Sequence, residues 1–272
     1  MQVKVLGTVA PYPKGDMNCS SFLVSEGNSK VLLDAGFSCS RELDILKDLK
    51  DLSIIISHYH PDHYGDLTAI ANMSFVAHKL GYIDSPIDVY LPKPKRENNV
   101  ECGKWTTPCF MPSDPIDYDY LVNSKNVNFF KIHKYEEKTK LHIGPLTILF
   151  NKTIHPIDAY SIKLESSSAS LVYSSDTDYD KALSEFSRDA DCLICEASYL
   201  RGQEKGNSGH LYAYEAGMLA RDANVNSLYL FHTYPEIEKQ AYVDEAKEEF
   251  SNTSSFIEGQ IIKLERKNTN GN

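Results

Sequence analysis

Apolar and polar positions alternate with a short period along most of the chain. "VKVLGTV" (3–9), "SSFLVSE" (20–26) and "KVLLDAG" (30–36) read as strands, the last two joined across Gly27 and Asn28, a favourable hairpin dipeptide. In "SRELDILKDLKDL" (40–52), Leu43, Leu46 and Leu49 recur at helical spacing behind Ser40, which predicts a helix capped by that serine. "SIIIS" (53–57) is an unbroken apolar strand that delivers the chain to His58, and "DLTAIANM" (66–73) predicts another helix. From about 81 to 140 the periodicity lapses: Pro-rich and Asp-rich pieces alternate with aromatic residues, and the interval reads as an insertion or lid. Strands resume with "LTILFNKTI", "YSIKLES" and "SLVYSSD". Helix and strand then alternate through "DKALSEFSR", "DCLICEAS", "HLYAYEAGMLARDAN" and "SLYLFH". The polar tail over about 266–272 is expected to fray. With no internal repeat and no clean linker, residues 1–272 are expected to form a single α/β domain.

Composition narrows this reading. At 272 residues and 42% hydrophobic, the chain can bury a substantial core. No apolar run approaches the roughly 20 residues that span a bilayer, and "MQVKVLGTVA" reads as a strand, so a cytoplasmic protein without a membrane partner is expected. The six cysteines are then reduced thiols. Cys192 and Cys195 form a CxxC, but "DCLICE" has no turn residues and reads as buried strand. A formal net charge of −10 repels polyanions and disfavours extended nucleic acid as a partner.

The candidate chemistry stands at the ends of predicted strands. His58, Asp176, Glu196 and His232 each follow one, and His155 at the end of "LTILFNKTIH" can join the same edge. In sheets with helices between the strands, ligands collect in the crevice beyond those ends. Any one of these residues alone would most simply cap or satisfy its surroundings. The stretch "SHYHPDHYGD" differs, because it places three histidines and an aspartate between His58 and His63. Residues i and i+2 of an extended or turning backbone share one side, so His58 and His60 can grip one cation. Asp62 and His63, past the Pro61 turn, can reach a neighbouring one. Imidazole and carboxylate donors suit zinc, with manganese or iron as alternatives.

The six residues His58-Tyr59-His60-Pro61-Asp62-His63 follow the pattern H-x-H-x-D-H, and at this point the chain resembles the metallo-β-lactamase-fold hydrolases. Asp34 in "LLDAG", His155, Asp176 in "YSSDT" and His232 in "LFH" extend the resemblance over most of the chain. It implies an αββα sandwich of two mixed β-sheets flanked by helices. It also implies two metals, one on His58, His60 and His155 and the other on Asp62, His63 and His232, with Asp176 bridging. Two such cations sharing a solvent molecule lower its pKa from about 15.7 toward about 7 and supply a bridging hydroxide at neutral pH.

The segment from Cys195 to His232 resembles the ribonuclease Z and small-phosphodiesterase branch of that family. There a glutamate after one strand and a histidine opening the next helix form a pair beside the metals; here these are Glu196 and His210. A carboxylate bonded to imidazole favours the imidazolium, which can protonate a departing alkoxide, and a helix N-terminus favours an anion. The plainer reading makes His210 a cap on a helix whose buried face is Leu211, Tyr214 and Met218. In ribonuclease Z the tRNA-gripping arm lies between the third metal histidine and the bridging aspartate, but here only 21 residues separate His155 from Asp176. Between Gly81 and Lys125, seven acidic residues outnumber five basic ones, a poor RNA clamp. The rings there (Tyr82, Tyr90, Trp105, Phe110, Tyr118, Tyr120) could stack on a base, form a homodimer interface or simply pack. The resulting expectation is a dinuclear hydrolase of a small or nucleotide-like phosphodiester. Asp62 orients the nucleophile, and His210 with Glu196 assists the leaving group. Thioester or lactam hydrolysis, tRNA 3′-processing and a metal-stabilised binding protein are the alternatives.

Overall fold

In the computed structural model, residues 1–93 and 130–266 are described. The chain opens with β1 (Gln2–Gly7), β2 (Ser21–Glu26) and β3 (Ser29–Leu33), an antiparallel set whose β2–β3 hairpin turns at Gly27 with φ 59°. β4 (Leu52–Ile55), β5 (Ile87–Pro92) and β6 (Phe130–Tyr135) then add successively in parallel to β3. β14 (Ile261–Lys263) returns to close the other edge, giving the order β14-β1-β2-β3-β4-β5-β6. The second sheet begins as an antiparallel meander of β7 (Lys140–Ile143), β8 (Leu146–Lys152), β9 (Tyr160–Glu165) and β10 (Ser170–Tyr173). It continues in parallel through β11 (Cys192–Glu196), β12 (Leu228–Phe231) and β13 (Thr253–Ser255).

Burial explains the layering. Along β3, Val31 and Leu33 point between the sheets while Leu32 points outward, so the strand is apolar on both faces and needs cover on both. α1 (Pro61–Tyr64) and α2 (Leu67–Lys79) cover the outer face of the first sheet. α3 (Lys181–Phe186), α4 (Ala213–Asp222) and α5 (Lys239–Lys247) cover the second. The expected αββα sandwich of two mixed sheets is the observed architecture. Its middle layer centres on Phe22, whose ring lies 5.3–5.7 Å from those of Tyr173, Phe231 and Phe256.

Three expectations need correction. The helix over 40–52 is only a 3-10 turn, Cys39–Glu42, preceded by Ser38 in the left-handed region. Aspartates take the amides a helix would use: Asp44 Oδ1 accepts from Leu46 N at 2.9 Å and Lys47 N at 3.3 Å, and Asp48 Oδ2 accepts from Asp44 N at 2.9 Å. Leu43 and Leu49 are buried as the spacing suggests, but Leu46 is 56% exposed. Ser40 is no cap; its amide donates to Asp66. The interval read as an insertion or lid over about 81–140 is drawn too wide, since it contains β5 and β6, two strands of the first sheet. Ile87, Val89 and Leu91 do alternate, buried on the outer face of the sheet with Leu67 and Ile70, but Pro86 and Pro92 bracket them and mask the signal. Trp105, Phe110, Tyr118, Tyr120 and the tail from 267 lie outside the described residues. The third correction, at His210, concerns the site.

Cys192 and Cys195 are free, buried thiols on β11, facing opposite layers. Burial pushes Cys192 up to about 12, consistent with a core role. Among the described residues, no helix is long and apolar enough to cross a membrane.

Truncating the central ring tests this packing. Phe22→Ala is expected to destabilise the fold by about 3–5 kcal/mol, read as a lower urea midpoint with an unchanged slope.

Candidate metal centre

The parallel pairing of β3 with β4, and of β10, β11 and β12, brings several strand exits to one edge. The two sheets are tied there by Tyr173, whose hydroxyl donates to Asp34 Oδ2 at 2.6 Å. Asp34, Ser175 and His232 leave their strands with φ of 58°, 56° and 59°, left-handed values that turn the chain sharply at the edge. His232 is held in that conformation by Thr8, whose carbonyl accepts its amide at 2.7 Å. On the other side, His60 remains extended as the N-cap of α1 and Pro61 takes the first helical position, which rotates Asp62 and His63 into one turn facing the same space. Gly36 allows that turn to close, because a Cβ there would stand 2.2 Å from the Asp62 carbonyl oxygen.

The seven expected metal residues meet here in two groups. His58 Nε2, His60 Nδ1 and His155 Nε2 converge, with the His60 nitrogen 3.1 and 3.0 Å from the other two. Asp62, His63 and His232 form the second group, with His232 Nε2 at 3.3 Å and His63 Nε2 at 3.8 Å from Asp62 Oδ2. Asp176 lies between them: its Oδ2 is 3.3 Å from His58 Nε2 and 3.2 Å from His232 Nε2, and its Oδ1 is 3.2 Å from His63 Nε2.

The surrounding hydrogen bonds decide where the imidazole protons are. Asp34, fully buried, accepts from Ser57 N, Ser57 Oγ and Tyr173, and takes His63 Nδ1–H at 2.7 Å. Ser57 spends its proton on Asp34, so it accepts from His58 Nδ1 at 2.9 Å. Ser198 donates to Glu196 Oε2 and in turn accepts from His232 Nδ1 at 2.8 Å. His155 Nδ1 donates to the Gly209 carbonyl at 2.9 Å. Four histidines therefore carry their proton on Nδ1 and aim an unprotonated Nε2 at carboxylates and at one another. Acceptors facing acceptors in a dry site repel unless a cation or extra protons lie between them. His63 Nε2, His232 Nε2 and Asp176 Oδ1 are buried without any hydrogen-bond partner, as ligand atoms awaiting a metal would be. Nitrogens about 2.0–2.1 Å from a shared tetrahedral ion stand about 3.3 Å apart, close to the spacings found. The residues fit a pair of divalent ions.

Charge follows the same division. Burial lowers the pKa of His58, and also that of His60 to about 3 and His155 to about 2, leaving these three neutral as ligands must be. Burial opposes the charge on His63 and His232 as well, but neighbouring carboxylates, Asp176 foremost, outweigh it and raise the His232 pKa to about 10; without a cation, Asp176 and Asp62 draw onto these two rings the extra protons that a metal would displace from Nε2. Burial disfavours ionised Asp62 and Asp176, and the flanking histidines still hold both below the usual carboxylate range.

Glu196 and His210 also meet here. His210 Nδ1 donates to Glu196 Oε1 at 2.9 Å, and the His210 ring stacks on His232 with centroids 5.0 Å apart. Burial opposes the imidazolium, yet Glu196 and Asp176 together raise its pKa. The expectation that His210 opens a helix is wrong. Tyr212 is the N-cap of α4 and gives its amide to Glu215 Oε2, whereas Glu196 Oε2 draws the Leu211 amide to itself at 3.2 Å and keeps His210 ahead of the first turn. The helix dipole therefore offers it no direct help. Nor is the buried face Leu211, Tyr214 and Met218: only Leu211 is buried, and α4 packs through Ala213, Ala216, Gly217, Leu219 and Ala220. Sequence reasoning missed Ser57, Tyr173, Ser198 and Gly209, the groups that orient the histidines. Only Ser57 and Ser198 carry a signal, being next to a strand exit.

Comparison with known proteins agrees with this geometry. The pattern of a beta-lactamase superfamily domain matches residues 29–233. The probable metallo-hydrolase YhfI of Bacillus subtilis (strain 168) is 28% identical over 85% of this chain and 86% of its own. The crystal structure of that metallo-beta-lactamase fold protein superposes with a TM-score of 0.79 at 25% identity, covering 96% of this chain and 98% of the other. A ribonuclease Z of Thermococcus sibiricus is 29% identical over 90% of each chain.

Because Asp34 orients His63 and fixes Ser57 against His58, Asp34→Asn is expected to weaken zinc binding about 10–100-fold. Competition with a chromogenic chelator measures the affinity, and an unchanged far-UV circular dichroism spectrum shows that the fold persists.

Proposed function

The chain belongs to the beta-lactamase superfamily, and from its site we infer a hydrolase that uses two divalent metal ions, zinc foremost, to cleave the phosphodiester of a small or nucleotide-like substrate. The observation that carries the substrate class is the Glu196–His210 pair, set against Asp176 and His232. His58, His60 and His155 would hold one ion, Asp62, His63 and His232 the other, with Asp176 between them. When bound, such a pair supplies Lewis acidity and lowers the pKa of water.

The remaining chemistry belongs to the chain. Asp62 turns Oδ2 toward His63 and His232, and its carboxylate would orient the attacking water as well. The attacking water gives one proton to solvent as the new P–O bond forms; as the old one breaks, the leaving oxygen takes the electron pair of that bond and a proton from His210 Nε2, which regains one from solvent. Glu196 accepts from Thr177 N, Ser198 Oγ, Leu211 N and His210 Nδ1, so its carboxylate is fixed from four sides and holds the imidazole in one orientation. Acid assistance of this kind contributes about 10²–10⁴ in rate. Hydrolysis of a thioester or lactam leaves this pair without a task.

Similarity to a ribonuclease Z over 90% of the chain supports phosphodiester chemistry, and two features argue for a small substrate. The interval from His155 to Asp176 is taken up by β9 and β10 of the second sheet, where a tRNA-gripping arm would have to stand. The net charge of −10 also opposes a long polyanion.

Two outcomes are expected. Dialysis against a chelator abolishes hydrolysis of bis(p-nitrophenyl) phosphate, and added zinc or manganese restores it. His210→Ala slows hydrolysis of diphenyl phosphate, whose leaving group is poor, by about 10²-fold or more while the metal content measured by mass spectrometry stays unchanged. Wild-type turnover of a thioester or β-lactam exceeding that of phosphodiesters, and indifferent to His210→Ala, would move the protein to acyl hydrolysis.

A further inference from the structure

His210 is carried by an irregular connection between β11 and α4 in which Gly202, Gly206 and Gly209 all have positive φ. Backbone bonds tie its two ends together, Tyr199 N to the Leu211 carbonyl at 3.1 Å and Ala213 N to the Tyr199 carbonyl at 2.8 Å, and two tight turns, Gln203 N to Leu200 O and Ser208 N to Lys205 O, shape its middle, which projects from that bridge. Gly209 is required where it stands: a Cβ there would lie 2.6 Å from Pro156 Cδ and 3.0 Å from His155 Nδ1. Its carbonyl is also the acceptor for His155. The end of the loop thus touches both the first metal group and His210, and whatever fixes the loop fixes their relation.

The strongest anchor inside the loop is Lys205. Its ammonium lies 2.8 Å from Asp178 Oδ1 and 2.7 Å from Glu215 Oε2, with the side chain only 13% exposed, and it sits 4.8 Å from the centre of the Tyr212 ring. Its two carboxylates come from separate elements. Asp178 follows Asp176 by two residues, and its amide donates to the Ile154 carbonyl beside His155 at 2.8 Å. Glu215 belongs to α4, and the same Oε2 caps the Tyr212 amide at 2.9 Å. The Tyr212 hydroxyl reaches back to the Gln203 carbonyl at 2.7 Å. One cation therefore pins the middle of the loop to the strand exit of Asp176 and to the start of α4. The other charged anchor of the loop, Arg201 with Glu248, is exposed and screened by solvent.

We propose that Lys205 is the positioning residue for His210, holding the loop so that the imidazole stands over Asp176 and the leaving group. This inference rests on the reading of His210 as the leaving-group acid. Without the ammonium, Asp178 and Glu215 face each other uncompensated and the loop loses its central anchor. Glu196 keeps its bond to His210, but the pair no longer has one fixed position above the metal site.

The test compares the dependence of kcat on leaving-group pKa across a series of aryl phosphodiesters, from p-nitrophenyl to phenyl, for wild type, His210→Ala, Lys205→Met, Lys205→Arg and Lys205→Met/His210→Ala. A good leaving group needs little proton assistance and a poor one needs much. His210→Ala is expected to steepen the dependence, and Lys205→Met to steepen it in the same sense, with about a 10-fold loss or less for p-nitrophenyl and about 100-fold for phenyl esters. The double variant is expected to be no slower than His210→Ala alone, because residues that act as one unit are not additive. Zinc content stays at the wild-type value, and Lys205→Arg, which keeps the charge, recovers part of the loss. Should Lys205→Met fail to fold, Glu215→Gln, which keeps the cap and removes the charge, is expected to shift the dependence in the same direction. A lower Tm in Lys205→Met with a wild-type dependence, and losses that add in the double variant, would make Lys205 a fold-stabilising ion pair and overturn the proposal alone. A wild-type dependence in His210→Ala would overturn the acid role of His210 and this proposal with it.

Discussion

Unprotonated nitrogens and carboxylate oxygens facing one another across a dry sheet edge are the constraint around which this molecule is built. Asp62, Asp176 and five histidines bring their ligand atoms together, and the outer nitrogens of four of those histidines are already engaged as donors to Asp34, Ser57, Ser198 and the Gly209 carbonyl. Such a cluster is repulsive on its own, so the rest of the fold has to hold it. The strands supply parallel exits, the core between the sheets fixes their spacing, and Tyr173 links Asp34 of one sheet to the second. Three left-handed residues at those exits carry the backbone strain.

Glu196 unites two parts of the site. Through Ser198 it orients His232, which faces the second metal group, and through Oε1 it binds His210 directly. One buried carboxylate thereby links a histidine of the candidate metal centre to the histidine proposed as the leaving-group acid. This shared carboxylate gives a physical reason for the two histidine rings to lie stacked.

Much of this was legible in the sequence, for reasons particular residues show. "SHYHPDH" cannot be explained as core or cap, and Pro61 locates the turn that separates the two metal groups. Strands buried on both faces, such as "KVLLD" and "DCLIC", announce themselves as apolar runs. The two failures over helices share one cause, side chains competing for backbone amides. Asp44 and Asp48 dissolve a helix that the spacing of Leu43, Leu46 and Leu49 spells out, and Glu196 withholds Leu211 from α4, leaving His210 outside the helix it was expected to open. Neither competitor shows in a periodicity pattern. The short strands β13 and β14 were missed because they are mostly polar or exposed and owe their pairing to neighbours distant in sequence.

The most direct test of the account is the number of zinc ions that equilibrium dialysis leaves on each chain. Two donor groups sharing Asp176 predict two ions per chain for the wild type and one for His60→Ala, which damages the first group and spares Asp62, His63 and His232. A single ion in the wild type, or no difference between the two proteins, would contradict the dinuclear centre on which the mechanism depends.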